Sequence, residues 1–332
     1  TSNESPLPAV EIDVKKAIEV DGRMVLELDG DRDVTLTVVP AIQKRAAQIL
    51  KKAEVPYGAL VAMEPATGRI LGFVEHSSAN ATLQHLAGRA NPPAASVFKL
   101  ITTTALLETT QVTPDFKTCF SGGSRGISKR HLEDDPRRDS TCQTLTEALA
   151  RSTNAIFGKL ADRHLSAEVL QRYARAYGWD REIPFLFPVE QSRASFGTDR
   201  VELARTAAGF YNTQLSPIHG ALVAAAIANN GRMMAPGLVD HYVANGRVLV
   251  EHTPVPMGRV CRENTARTLA KMMVETTTNG TAGAYFRKRN KSLRGIDVSA
   301  KTGSLSAMAD MLEITLNSSL PQYLVSSPDD IS

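Results

Sequence analysis

Cysteine is scarce in this chain, three in 332 residues, and tryptophan occurs once. The three, Cys119, Cys142 and Cys261, form no CxxC pair, which argues against a cysteine zinc cluster; neither a metal nor a cofactor is expected. Long apolar runs are also missing, since the longest, residues 94–107 and 221–228, meet polar side chains well short of a bilayer span. Charge of one sign is lacking too. Lys plus Arg at 38 against Asp plus Glu at 35 leaves +3, too slight to make nucleic acid the main partner. There is no internal repeat and no low-complexity run. The chain opens on Thr1, and its first nine residues are polar and contain proline, so any leader or anchor is expected to lie outside this sequence.

What is present fits a globular protein with a sizeable core: 42% hydrophobic and 22% charged residues. At roughly 150 residues per domain, the length fits two domains, or one large domain with an accessory piece. The first forty residues alternate apolar and polar (Val10, Ile12, Val14; Met24, Leu26, Leu28; Val34, Leu36, Val38) around Asp21-Gly22 and Asp29-Gly30, the pattern of short hairpins. Residues 40–54 read as an amphipathic helix, and residues 58–64 and 70–75 as two strands joined by Pro65-Ala66-Thr67-Gly68. Helical stretches follow at 95–107, 144–151, 154–164, 215–229 and 263–278, the first with Ser96 as its end cap. Residues 296–300 read as a strand running into Lys301-Thr302-Gly303. Strands at both ends with helices between predict an α+β antiparallel sheet closed around a large helical insertion.

Cys119 and Cys142 bracket a polar segment rich in Gly, Ser and Arg. Two readings stay open: a disulfide stapling a weakly packed excursion, or two unpaired buried thiols.

Three short motifs stand in order: Ser96-Val97-Phe98-Lys99, Ser152-Thr153-Asn154 and Lys301-Thr302-Gly303. Chance supplies about one SxxK, about one SxN and roughly 0.1 KTG in a chain this long, and Ser78-Ala79-Asn80 is indeed a second SxN, read as loop. Context raises their weight: each falls at a helix start, a helix junction or a strand end. Ser96 and Lys99 share a helix face, so the amine can reach the hydroxyl. A serine needs a neighbour to take its proton, and a lysine can do so only when desolvation or a nearby cation has lowered its pKa; Lys301 is the candidate cation. A helix start also presents backbone N–H groups to a developing oxyanion.

Together with TGRILGFV, NPPAASVFKLITTTALLE, RSTNAIFGKLA, LSPIHGALVAAAIANNGRMMAP and NGTAGAYF, these motifs resemble the penicillin-binding protein transpeptidases, of the serine DD-peptidase and β-lactamase superfamily, from about residue 34 to residue 304. The resemblance implies a β-lactamase/transpeptidase-like α+β fold, in which residues 1–44 form a β-rich linker or pedestal and residues 45–332 the transpeptidase domain. It implies that Ser96 attacks the carbonyl of a D-Ala-D-Ala stem peptide, Lys99 is general base, and Ser152 passes a proton to the leaving amine. Asn154 would bind the substrate amide; Lys301, Thr302, Gly303 and Ser304 would hold the terminal carboxylate, with the N–H groups of Ser96 and Ser304 as oxyanion hole. β-Lactam antibiotics would acylate the same serine. The implied partners are peptidoglycan stem peptides, β-lactams and cell-wall synthesis proteins. The implied location is periplasmic or extracytoplasmic, with the full-length parent membrane-associated.

Rival readings are a DD-carboxypeptidase or β-lactamase, in which water replaces the acceptor amine, and a penicillin-binding sensor or scaffold without turnover. Glu202, in an ELA helix start, lacks the Glu-x-x-Leu-Asn arrangement of class A β-lactamases, and the stretch between Ser152 and Lys301 is longer than theirs; both argue against rapid hydrolysis. His219 reads as a packing or capping residue. The 29 residues after Gly303 show no Trp-Phe-x-Gly-like aromatic run. Residues 311–316 could make one strand, and an incomplete set of outer strands would leave the Lys301 strand as an edge.

Overall fold

The computed structural model describes residues 12–80, 82–124, 126–210, 212–286, 295–304 and 322–326. The N-terminal hairpins form as the alternation predicts, with strands Ile18–Val20, Arg23–Leu28 and Arg32–Leu36. Their turns are tight because Asp21-Gly22 and Gly30-Asp31 all take positive φ. The expected run through Val14 is corrected: Val14–Lys16 is a single 3-10 turn, closed when the Asp13 side chain accepts the Lys15 N–H. Val10 lies outside the described residues.

These strands are not an isolated appendage. Arg32–Leu36 pairs antiparallel with Val239–Ala244, which in turn pairs with Arg247–Glu251, making one five-stranded sheet. Val34 faces Tyr242 in this register, and both are buried, with Leu26, Leu36, Ile70 and Phe73, in a core of their own. The sequence reading put no strands in the middle of the chain, yet Asn245-Gly246, both at positive φ, turns this distant hairpin.

The helix Pro40–Ala53 spans residue 45, where the main domain was expected to start, and packs on strand Ile70–Ser77. Gln43 fixes its pitch: Nε2 donates to the Phe73 carbonyl at 2.7 Å while Oε1 accepts the Phe73 N–H at 2.8 Å. Gly72 lets the helix come close, since a Cβ there would sit 2.9 Å from Ile42 Cγ2. Tyr57–Met63 and Ile70–Ser77 form the expected hairpin.

The larger core surrounds the helix Lys99–Thr109, whose residues 99–106 are all buried. A helix covered on every side needs no amphipathic stripe, but its polar groups need partners. Thr103 and Thr104 donate back to the carbonyls of Lys99 and Leu100, and Thr102 donates to Ala207 O on a neighbouring helix. Helices Leu145–Arg151, Asn154–His164, Ala167–Ala176, Arg200–Ala207, Pro217–Ala228 and Glu263–Thr278 enclose it. His219 is one packing element of this shell. It is fully buried, its ring is 4.4 Å from that of Trp179, its Nε2 lies 2.8 Å from Tyr177 O, and burial pushes its pKa down to about 4.

Strands Lys117–Phe120 and Thr141–Thr144 pair antiparallel with Cys119 opposite Cys142, and the two cysteines form a disulfide. This settles the open pairing; Cys261 is the buried free thiol. Strand Ser299–Gly303 pairs antiparallel with Gln322–Ser326, so a C-terminal strand does lie beside Lys301. The strand expected at 311–316 lies outside the described residues.

Candidate active site

The structure corrects the role assigned to Ser96 as a helix cap. Residues Ala95–Phe98 form a 3-10 turn leading into the helix at Lys99, and the Ser96 hydroxyl meets the Lys99 amine, with Oγ and Nζ 2.7 Å apart. The residue before it, Ala95, sits at φ +47°, a conformation that costs energy for a side chain with a Cβ and persists only when the surroundings hold it. Gly209 supplies part of that hold. At φ +84° it passes so close that a Cβ would lie 1.9 Å from Ala95 O.

The Lys99 amine has three neighbours, each at 2.7 Å: Ser96 Oγ, Asn154 Oδ1 and the Ala208 carbonyl. Lys99 is fully buried. Burial, and after it the positive charge of Lys301, push its pKa well below the usual lysine range. A neutral amine keeps two N–H donors and one lone pair. Asn154 Oδ1 and Ala208 O can only accept, so in the neutral form they take the two N–H groups and leave the lone pair to the Ser96 hydroxyl.

Lys301 is the second fully buried amine, pushed down by burial to about 7. Its Nζ lies 3.0 Å from Ser152 Oγ and 2.8 Å from Thr302 O. Ser152 ends the helix Leu145–Arg151 in the left-handed conformation, φ +59°, and its N–H bonds back to Leu149 O. The SxN motif thus falls at a sharp break between two helices, with Ser152 facing Lys301 and Asn154 facing Lys99. Among the described residues neither amine has a carboxylate partner.

The strand carrying Lys301 lies against the Ser96 turn: a Cβ on Gly303 would meet Val97 Cγ2 at 3.3 Å and Ala94 O at 3.4 Å. Ser304 follows as an exposed residue at the strand end. The Thr302 hydroxyl is 2.6 Å from that of Thr281, whose N–H donates to Ala150 O. Thr281 therefore ties the KTG strand to the helix that ends at Ser152. Sequence reasoning quoted Thr281 only inside the NGTAGAYF run, and missed Ala208 and Gly209 altogether. Ala208 acts through its backbone and Gly209 through the side chain it lacks, so neither offers a chemical type to notice.

Glu202 engages Asn212, whose Nδ2 donates to Oε1 at 3.1 Å. Ser78-Ala79-Asn80 is loop, as expected. No cluster of metal-ligating side chains occurs among the described residues.

A half-buried serine against a buried lysine, a Ser-x-Asn break and a Lys-Thr strand thus come together in one place, the combination that serine acyl transfer requires. Residues 58–311 match the penicillin binding protein transpeptidase domain, so the chain belongs to that family. It is 26% identical over 306 residues to the peptidoglycan D,D-transpeptidase PbpA of Mycolicibacterium smegmatis, an alignment covering 82% of this chain and 60% of that protein. The chain thus spans less than two thirds of that relative's length. The D,D-transpeptidase domain from Eggerthella lenta superposes with a TM-score of 0.70 at 28% identity, covering 86% of this chain and 74% of that one. Penicillin-binding protein A of Mycobacterium tuberculosis, solved as a penicillin G acyl-enzyme, superposes with a TM-score of 0.65 at 26% identity, covering 83% and 68%. These neighbours share the α+β architecture.

Proposed function

We propose that this chain carries the acyl-transfer domain of a peptidoglycan D,D-transpeptidase, with Ser96 as nucleophile. The observation that carries this reading is the Lys99 amine, buried with no carboxylate partner among the described residues and 2.7 Å from Ser96 Oγ.

In this reading, Lys99 accepts the Ser96 proton as Oγ bonds to the penultimate carbonyl carbon of a D-Ala-D-Ala stem peptide. The tetrahedral oxyanion forms near the N–H groups of Ser96 and Ser304, and such fixed donors cost no reorganisation at that moment. Collapse breaks the peptide bond; the terminal D-Ala leaves as an amine, taking a proton by way of Ser152. An acceptor amine then attacks the Ser96 ester. The Lys301 ammonium and the Thr302 hydroxyl hold the substrate's terminal carboxylate beside Gly303 and Ser304, and Asn154 binds the substrate amide. A β-lactam presents the same carboxylate and carbonyl and stops at the acyl-enzyme.

The pedestal reading of residues 1–44 applies to the strands between Ile18 and Leu36, which are joined to the rest through their sheet with Val239–Ala244, and the transpeptidase domain follows from about residue 45. The natural site of action is outside the cytoplasmic membrane, which the Cys119–Cys142 disulfide favours, because such bonds persist in oxidising compartments. Other cell-wall synthesis proteins are its expected partners.

The test is to incubate the protein with a D-Ala-D-Ala-ended donor peptide and a D-amino acid acceptor, separating products by chromatography with mass detection. Exchange of the terminal residue is the expected result. Hydrolysis alone would identify a carboxypeptidase. Absence of both, with no acylation by penicillin, would identify a scaffold.

A further inference from the structure

We propose that the disulfide-closed segment between Cys119 and Cys142, clamped by Lys159, is a positioning device that fixes which end of the Asn154 carboxamide faces Lys99. This rests on the acyl-transfer reading above and deepens it.

Asn154 has two chemically different ends. Its Nδ2 can only donate and its Oδ1 can only accept. Nδ2 donates to the Ser124 carbonyl at 2.9 Å, and a carbonyl accepts nothing but a donor. Oδ1 is thereby turned toward Lys99, at 2.7 Å. Without Ser124 O, the amide is free to rotate and present Nδ2 to the amine. That N–H would then compete with the Ser96 hydroxyl for the same lone pair, and the proton acceptor would be occupied.

The Ser124 carbonyl stays in place because its segment is pinned from several sides. Lys159 is the main anchor. It stands five positions beyond Asn154 on the same helix, buried, and its amine donates to Cys119 O at 2.9 Å, to Asp134 Oδ1 at 3.1 Å and to Asp139 Oδ2. Burial works against ionisation of Asp139, but hydrogen bonds from Lys159 and the Asp135 N–H outweigh it and hold this carboxyl below its usual range. Arg163, one turn further on, pairs with Asp134 at 2.7 Å and donates to Leu132 O. Gly123, at φ +77°, brings the backbone onto the helix start; a Cβ there would be 2.8 Å from Ala155 Cβ. The disulfide closes both ends of the segment. Lys159 touches neither Ser96 nor Lys99 and acts through Asn154 as a positioning residue.

The experiment measures acylation of Ser96 by a fluorescent penicillin, as limiting rate and half-saturating concentration, in Lys159→Met and Gly123→Ala, each alone and combined with Asn154→Ala. Gly123→Ala breaks no ion pair, so it reports on the segment even if Lys159→Met unfolds. The expected result is a 10- to 100-fold fall, roughly the cost of a catalytic group misplaced by about an ångström. This fall lies chiefly in the limiting rate, with a smaller rise in half-saturation because the same carboxamide meets the substrate amide. In the Asn154→Ala background, neither change should slow acylation by more than about twofold further, the non-additivity of groups acting in series. Equal losses in both backgrounds would overturn the proposal, as would a folded Gly123→Ala with normal acylation. Wild-type protein that takes up no label at Ser96 would overturn the functional reading itself, before any variant is compared.

Discussion

Among the described residues three lysines are wholly or almost wholly buried, and they have opposite company. Lys159 sits among Asp134, Asp139 and the Cys119 carbonyl, so its burial is offset by ion pairs and hydrogen bonds. Lys99 and Lys301 have hydroxyl and carbonyl neighbours and each other, and both are pushed down from the ordinary lysine value. Burial alone does not make a base. A lysine lodged against carboxylates becomes a clamp, whereas one denied a counter-charge can give up its proton and collect another. Lys159 and Lys99, the proposed clamp and the proposed base, lie on neighbouring helices, and Asn154 stands between them.

The contrast can be broken most drastically at the nucleophile. Ser96→Ala is expected to abolish penicillin labelling completely while circular dichroism is unchanged; a label appearing elsewhere would remove the site. Next, Lys99→Met should slow acylation by about 10² to 10⁴, the contribution of a positioned proton acceptor. A loss under tenfold, seen by stopped-flow labelling, would demote Lys99 to a structural lysine like Lys159. Thr281→Val removes the hydroxyl 2.6 Å from that of Thr302 and should cost about 1 kcal/mol, close to fivefold in the acylation rate. Unchanged kinetics would show that Thr302 needs no such support.

The smallest effect is one of stability. Folding lowers Lys301 to about 7, whereas an unfolded lysine titrates near 10.4. The unfolded chain therefore binds more protons between these values, and stability rises with pH across that window. The cost of burying the ammonium is present in full below about pH 7 and fades toward about pH 10. Lys301→Met should raise the unfolding midpoint at about pH 6 by a few degrees and do less at about pH 9. A shift that is the same at both pH values would contradict the uncompensated state of this lysine.

Much of this arrangement was legible in the sequence because it rests on local chemistry. SxxK, SxN and KTG name side chains with few alternative uses in combination, and the helices that carry them show their periods and stop signals. What stayed hidden is carried by backbone or by distance. The Ala208 carbonyl has no sequence signature, and Gly209 matters only because Ala95 O is where it is. Ser96 read as a cap because capping serines are common at helix starts, yet the turn is 3-10 and its hydroxyl turns to Lys99. The hairpin Val239–Ala244 and Arg247–Glu251 was missed because its exposed face dilutes the alternation, leaving only Asn245-Gly246 as a signal. Lys159 resembled any helical lysine until Asp134 and Asp139 were folded back onto it.

The central claim is that Lys99 is a neutral amine poised to take the Ser96 proton. Nuclear magnetic resonance of lysine-labelled protein near neutral pH addresses it directly, with Lys99→Met assigning the signal. A side-chain resonance of the neutral-amine type that vanishes in the variant is the predicted result. An ammonium resonance at Lys99 under conditions where Ser96 is acylated rapidly would contradict it.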